Sequence, residues 1–277
     1  MKLITYRYQN SVCVGALADG FVRRLPFASM QELIERGGPV RPDGPAVAAS
    51  EVELLAPIPS PRQDVICLGI NYRAHAEEAA RYNGEAFAKE KPVPIYFSKR
   101  VAQAVAPGGA IESHPGLVER LDYEAELAVI IGRTARNLSA AEAPAHIFGY
   151  TVLNDVSARD LQTAHKQWYF GKSLDGFTPM GPCIVTADEI SFPPRLAIRS
   201  YVNGELRQNS TTDLLITGIA DILAELSSGI TLLPGTILAT GTPAGVGMGF
   251  DPPKFLRPGD VVECEIEGIG TLRNTVV

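Results

Sequence analysis

The chain has 277 residues, with 25 Lys plus Arg against 31 Asp plus Glu and a formal net charge of −6. That acidic balance, with no long basic run, excludes a binder of nucleic acid or of anionic membranes. Its 26 glycines and 21 prolines argue against a helical bundle or coiled coil, and its 45% hydrophobic content excludes disorder.

The first 25 residues alternate between apolar and polar. Ile4/Tyr6/Tyr8, Val12/Val14/Ala16 and Phe21/Val22/Leu25 read as three short strands joined at Asn10-Ser11 and Asp19-Gly20. Ser29 to Gly37 reads as a short helix with Ser29 as its cap, Glu32 three residues on and Gly37 as its stop. A Pro/Gly-rich stretch runs from Gly37 to Pro45. The three prolines of Ala56-Pro57-Ile58-Pro59-Ser60-Pro61 read as an extended linker, which divides the chain into a small domain, 1–60, and a larger one, 61–277. Strands are expected at Asp64–Ile70, Pro94–Ser98, Asp122–Gly132, Ile147–Asp155, Arg195–Asn203, Thr236–Thr240 and Asp260–Glu267. Asn203-Gly204 signals a hairpin, and Asp213–Ser228 is the best amphipathic helix. The start, Met1 to Asn10, lacks a signal-peptide core, and no apolar run approaches the ~20 residues of a membrane-spanning helix, so the expected setting is cytoplasmic. The four cysteines have no CxxC spacing and read as free thiols.

Chemistry concentrates in a few segments. On a continuous strand, Asp122, Glu124 and Glu126 share one face, and like charges at that spacing need water or a cation between them. Asp155 stands where an apolar strand gives way to a helix, either as a cap or as part of a site. Two Glu and one Asp make an all-oxygen donor set that suits Mg²⁺, Mn²⁺ or Ca²⁺ rather than zinc. If residues 74–80 are helical, His75 and Glu78 share a face, and the carboxylate orients the imidazole and raises its basicity. Lys172 lies in a glycine-flanked turn. The glycine-rich run Thr240 to Gly247 lacks the lysine of a phosphate loop, so a nucleotide site is a poor reading.

Taken together, Gly69-Ile70-Asn71-Tyr72…His75…Glu78, Asp122-Tyr-Glu124-Ala-Glu126-Leu, Asn154-Asp155…Arg159…Gln162, Gly171-Lys172-Ser-Leu-Asp175 and Thr240-Gly-Thr242-Pro-Ala-Gly-Val-Gly resemble the fumarylacetoacetate hydrolase family, from about residue 60 to the end. The resemblance implies an α+β, mostly β fold, in which a mixed β catalytic domain follows a small N-terminal α/β domain. It also implies a homodimer and a divalent metal, Mg²⁺ or Mn²⁺ with Ca²⁺ as a further option, held by Glu124, Glu126 and Asp155. His75 and Glu78 match a pair that orients or activates water, and Lys172 matches a lysine that contacts substrate. Arg159, Gln162 and Thr242 match polar positions near the substrate; Arg159, four residues after Asp155, is also placed to pair with that carboxylate. Asp122 is left outside the ligand set.

The implied substrate is a small anionic 2-oxo acid. The leading expectation is a metal-dependent hydrolase that cleaves a C–C bond of an acylpyruvate-type or diketo acid through a metal-stabilised enolate, with His75 and Glu78 activating water. The alternative on the same site is an oxaloacetate decarboxylase or 2-oxo acid tautomerase. A metal-binding β domain without chemistry is the non-enzyme reading, and the presence of His75, Glu78 and Lys172 counts against it. The substrate's side group depends on Glu77 to Lys91 and on Gln167 to Phe170.

Overall fold

The computed structural model describes residues 1–38, 41–84 and 93–277. Residues 39–40 of the Pro/Gly-rich stretch and 85–91 of the segment 77–91 lie outside the described residues. Three N-terminal strands, β1 (Lys2–Tyr8), β2 (Ser11–Ala18) and β3 (Phe21–Arg24), form as the alternation requires. Helix α1 (Met30–Arg36) is capped by the Ser29 hydroxyl, which accepts from the Glu32 N–H, while Glu32 accepts from the Ala28 N–H. Two short strands follow, β4 (Ala46–Ala48) and β5 (Glu53–Leu55). Ala56, Pro57 and Ile58 are buried, and the Thr5 hydroxyl donates to Pro57 O at 2.7 Å, so the proline stretch is packed onto β1.

Next come β6 (Val65–Gly69), α2 (Arg73–Asn83), β7 (Ile95–Lys99) and β8 (Ala110–Ile111). The strand expected over Asp122–Gly132 is two strands, β9 (Leu121–Asp122) and β10 (Ala125–Ile131). The ladder stops at Tyr123-Glu124 because the Glu124 N–H donates to the Asn154 side chain and the Tyr123 N–H to Asp122 Oδ1. Then follow β11 (Ile147–Asn154), β12 (Ser157–Ala158), α3 (Arg159–Ala164), α4 (Tyr169–Lys172), β13 (Met180–Thr186), β14 (Ala197–Val202) and β15 (Glu205–Thr211). The turn between β14 and β15 is Asn203-Gly204, both with positive φ.

Helix α5 (Ile219–Gly229) starts six residues later than its periodicity suggests. Asn71 is the reason: Ile216 N donates to Asn71 O, Thr217 N donates to Asn71 Oδ1, and Asn71 Nδ2 donates to Thr217 O, so this tertiary docking holds the preceding residues out of the helix. Strands β16 (Ile237–Ala239), β17 (Val261–Ile266) and β18 (Gly270–Val276) complete the chain. Strands β4, β5, β8, β12, β13 and β18 go beyond those read from the sequence.

One eleven-stranded sheet runs β4-β3-β2-β1-β13-β11-β10-β16-β6-β7, with β5 added on β1. A five-stranded sheet, β15-β14-β17-β18-β8, packs on its centre, where Leu127, Val129, Tyr150 and Val152 meet Ile198, Val262, Cys264 and Leu272. On the opposite face Ala128, Ile130 and Ile184 pack with Leu33 and Ile34 of α1. All seven residues of β10 are buried, so its apolar run reflects cover on both faces. The fold is α+β and mostly β, as expected. The four cysteines are free and buried. Among the described residues no helix is long and apolar enough to cross a membrane.

Strands β6, β11 and β16 end where β10 begins, and the candidate site lies at that edge. The turn after β6 is strained: Ile70, β-branched, sits at φ 55°. Asn71, 2% exposed, holds it by also donating to Thr240 O at 2.8 Å. Replacing Asn71 with Ala leaves Thr217 and Thr240 with unmet buried partners and is expected to cost about 2–4 kcal/mol. Urea denaturation measures this, and an unchanged midpoint refutes it.

Candidate metal centre

Glu126 is the second residue of the buried strand β10, Glu124 lies in the break before it, and Asp155 directly follows β11. One oxygen from each of the three lies within 4.8 Å of the others, and all three residues are buried. The Asp155 N–H donates to Glu124 O at 2.8 Å, which ties the two strand ends together. Three basic side chains compensate part of this charge. Lys172, at the end of α4 and 2% exposed, reaches Glu124 Oε2 at 2.8 Å and Asp155 Oδ2 at 2.7 Å. Lys99, at the end of β7 and fully buried, reaches Asp155 Oδ1 at 2.7 Å. Arg159 reaches Asp122 Oδ2 at 2.9 Å through Nε and Glu124 Oε1 at 2.7 Å through Nη1.

This corrects the sequence reading of Arg159, which pairs with Asp122 and Glu124 rather than with Asp155. Asp122 is fully buried and bonds Arg159. Lys99 escaped notice because a lysine closing a strand pattern looks like an exposed end. Gln208, also missed, accepts from Ala125 N–H and donates to Thr242 Oγ1 and Pro243 O.

The glycine-rich run after β16 is a cradle for protein carboxylates. Its backbone N–H groups donate from Gly241 to Glu126 at 2.8 Å, from Gly245 to Glu78 at 3.0 Å, and from Gly247 and Met248 to Asp122 at 2.6 and 3.0 Å. Gly245, at φ 103°, also passes so close to the Arg207 carbonyl that a side chain has no room. Helix α2 docks on this run, with Arg81 donating to Gly249 O. There His75 Nδ1 faces Glu78 Oε2 at 3.0 Å, both side chains buried. The carboxylate accepts, so Nδ1 donates and Nε2 is left to accept.

His75, Glu124, Glu126, Arg159, Gln162, Lys172 and Thr242 line one cavity of about 80 Å³, closed on its apolar side by Leu68, Gly69, Ile70, Phe97 and Trp168. Gln162 accepts from Arg159 at 3.1 Å. The Thr242 hydroxyl donates to Ala125 O. Of the other histidines, His114 bonds Asp175 O and His165 stacks edge-on against Phe170.

Burial would raise the Glu124 carboxyl, but Lys172 and Arg159 outweigh it and hold it below the usual range. Glu126 goes the other way: burial first, then the charges of Asp155 and Glu124, push its carboxyl well above the usual range. Among the described residues none forms an ion pair with Glu126. Burial alone would lower Lys172, and Asp155 and Glu124 more than reverse it. A set of hard oxygen donors in which one carboxylate lacks a counter-charge fits a divalent cation, and the type of donor favours Mg²⁺, Mn²⁺ or Ca²⁺.

Residues 64–277 match the family model described as fumarylacetoacetate (FAA) hydrolase C-terminal. The chain belongs to the fumarylacetoacetate hydrolase family. It is 48% identical over 227 residues to the oxaloacetate tautomerase YisK of Bacillus subtilis, covering 82% of this chain and 74% of that one. It is 43% identical over 234 residues to the mitochondrial oxaloacetate tautomerase Fahd2a of Rattus norvegicus, covering 84% and 72%. The fold superposes on the fumarylacetoacetate hydrolase of Exiguobacterium antarcticum with a TM-score of 0.88 at 42% identity, covering 100% of this chain and 99% of that one. For the 2-hydroxyhepta-2,4-diene-1,7-dioate isomerase of Mycobacterium marinum the TM-score is 0.83 at 34% identity, covering 100% and 98%. This family member is therefore an enzyme.

The unbalanced charge on Glu126 gives a test with a definite sign. A carboxyl raised on folding destabilises the metal-free fold once pH exceeds its unfolded value, so at neutral pH Glu126→Gln is expected to raise the melting temperature in EDTA. The same change is expected to abolish stabilisation by Mg²⁺, which in the parent reaches about 2.7 kcal/mol at a concentration a hundredfold above its Kd. A variant that melts lower in EDTA, or that Mg²⁺ still stabilises fully, contradicts this account.

Proposed function

We propose that the protein is a divalent-metal-dependent 2-oxo acid tautomerase that interconverts the keto and enol forms of oxaloacetate. The observation that carries the proposal is 48% identity, over 82% of the chain, to a relative named for that activity. Of the two readings open from the sequence, this favours the second over C–C hydrolysis. Glu124, Glu126 and Asp155 are the proposed metal ligands. A Mg²⁺ or Mn²⁺ ion bound there supplies Lewis-acid polarisation of a 2-oxo acid.

The chain's own residues account for the proton movement. His75 Nε2, with Nδ1 held by Glu78, takes a proton from C3 of the keto acid. The C–H electron pair becomes the C2–C3 double bond, and negative charge collects on the 2-oxygen. The Lys172 ammonium stabilises that charge. His75 returns its proton to the same oxygen, which gives the enol. No water is consumed and no C–C bond breaks, so a single proton-transfer group suffices. Arg159, Gln162 and Thr242 are the proposed contacts for the acid's polar groups. The proposal also takes residues 1–60 as a small domain before a catalytic domain, 61–277, in a cytoplasmic homodimer.

Enol absorbance in the presence of Mg²⁺ measures the reaction. His75→Gln is expected to lower kcat by about 10²–10⁴-fold with Mg²⁺ affinity retained, and EDTA to abolish turnover. Full activity in His75→Gln refutes the role of His75. Cleavage of acetylpyruvate to acetate and pyruvate, with no effect on oxaloacetate enol, returns the function to hydrolysis.

A further inference from the structure

The apolar wall of the cavity depends on one close approach. Gly69, the last residue of β6, lies directly under the Trp168 ring, where a Cβ would press on Cζ3 and stand 2.6 Å from Cη2. Phe97 meets the same ring edge-on, with centroids 5.3 Å apart and planes at 70°. The Phe97 ring also lies 5.3 Å, centroid to Nζ, from the Lys172 ammonium. The charged end of the site and its apolar wall therefore form one packed unit: Lys172, then Phe97, then Trp168 on Gly69. A ring backed in this way has little room to retreat from a larger ligand. The cavity it closes, about 80 Å³, has room for about three water molecules, the scale of a short acid.

We infer that Trp168, seated on Gly69, is the specificity-determining residue that restricts this site to short 2-oxo acids. The inference rests on the proposed 2-oxo acid site and adds a limit on substituent size. Trp168 lies outside the charged cluster and has no part in the proton transfer. Its role is steric and shows in the ratio of affinities for small and bulky acids.

The test measures Kd calorimetrically for 2-oxobutyrate and phenylpyruvate, with Mg²⁺ present, in the wild type, Trp168→Ala and Trp168→Phe. The wild type is expected to favour 2-oxobutyrate at least tenfold. Trp168→Ala is expected to shift the ratio at least tenfold toward phenylpyruvate, with Trp168→Phe between them. If the alanine variant fails to fold, the phenylalanine variant carries the comparison, with a shift of about threefold. An unchanged ratio, or equal loss of both acids, overturns the inference. Because Trp168 is the single tryptophan of the chain, Gly69→Ala is expected to alter the protein's emission spectrum, and an unaltered spectrum also counts against the contact. Wild-type turnover of oxaloacetate is followed in parallel. Selective binding without turnover defeats the tautomerase reading and leaves the wall standing, whereas a wild type that binds neither acid defeats both.

Discussion

The cost of keeping carboxylates away from water shapes this molecule. Asp122, Glu124, Glu126 and Asp155 are all at most 5% exposed, and Lys99, Arg159 and Lys172 are the basic groups beside them. A buried carboxylate without partners costs several kcal/mol, so each must be bonded, paired or neutralised. Asp122 takes backbone N–H groups and an arginine. Glu124 takes an arginine and a lysine. Asp155 takes two lysines. Glu126 is left with one backbone N–H and no basic partner among the described residues, an arrangement that fits a divalent cation.

The supports of that cluster come from distant parts of the chain and bring several elements into register. Lys99 closes β7, Lys172 closes α4, and Arg159 opens α3. The glycine-rich run after β16 presents its N–H groups to three separate carboxylates. One of those carboxylates, Glu78, belongs to the helix that carries His75, so the same loop that cradles Asp122 and Glu126 also positions the His75–Glu78 pair proposed for proton transfer. The strained φ of Ile70 lies at the start of that helix, and the hydrogen bonds of Asn71 hold the turn in place.

Much of this was legible in the sequence, and the limits have physical causes. The triad could be read because carboxylates in otherwise apolar strands demand an explanation, and His75 with Glu78 because helical spacing is fixed. Short-range rules also placed the Ser29 cap and the Asn203-Gly204 turn. What escaped was non-local. The break at Tyr123-Glu124 depends on Asn154, the late start of α5 on Asn71, and the pairing of Arg159 on the position of Asp122. Lys99 and Gln208 carry no local signal, since their roles arise only when strands far apart in sequence are brought together. The glycine-rich run reads only as lacking the lysine of a phosphate loop, and nothing in its spacing reveals that its N–H groups serve the protein's own acids.

The net charge of −6 and the proposed anionic substrate are reconciled at the same edge of the sheet. Solvent screens charge over about 8–10 Å, so the global balance has little bearing on a ligand that enters a buried site. The cavity presents Glu124 with its arginine and lysine partners, and Glu126 with no basic partner among the described residues. On the proposed reading, a divalent cation beside Glu126 supplies the positive charge that the carboxylate of a bound acid meets. On that reading, the acids that make the chain's composition look hostile to an anion are thus what would recruit the cation that binds one. The buried strand β10, covered on both faces, keeps the donor set from relaxing toward water and so holds it in the arrangement that suits a cation.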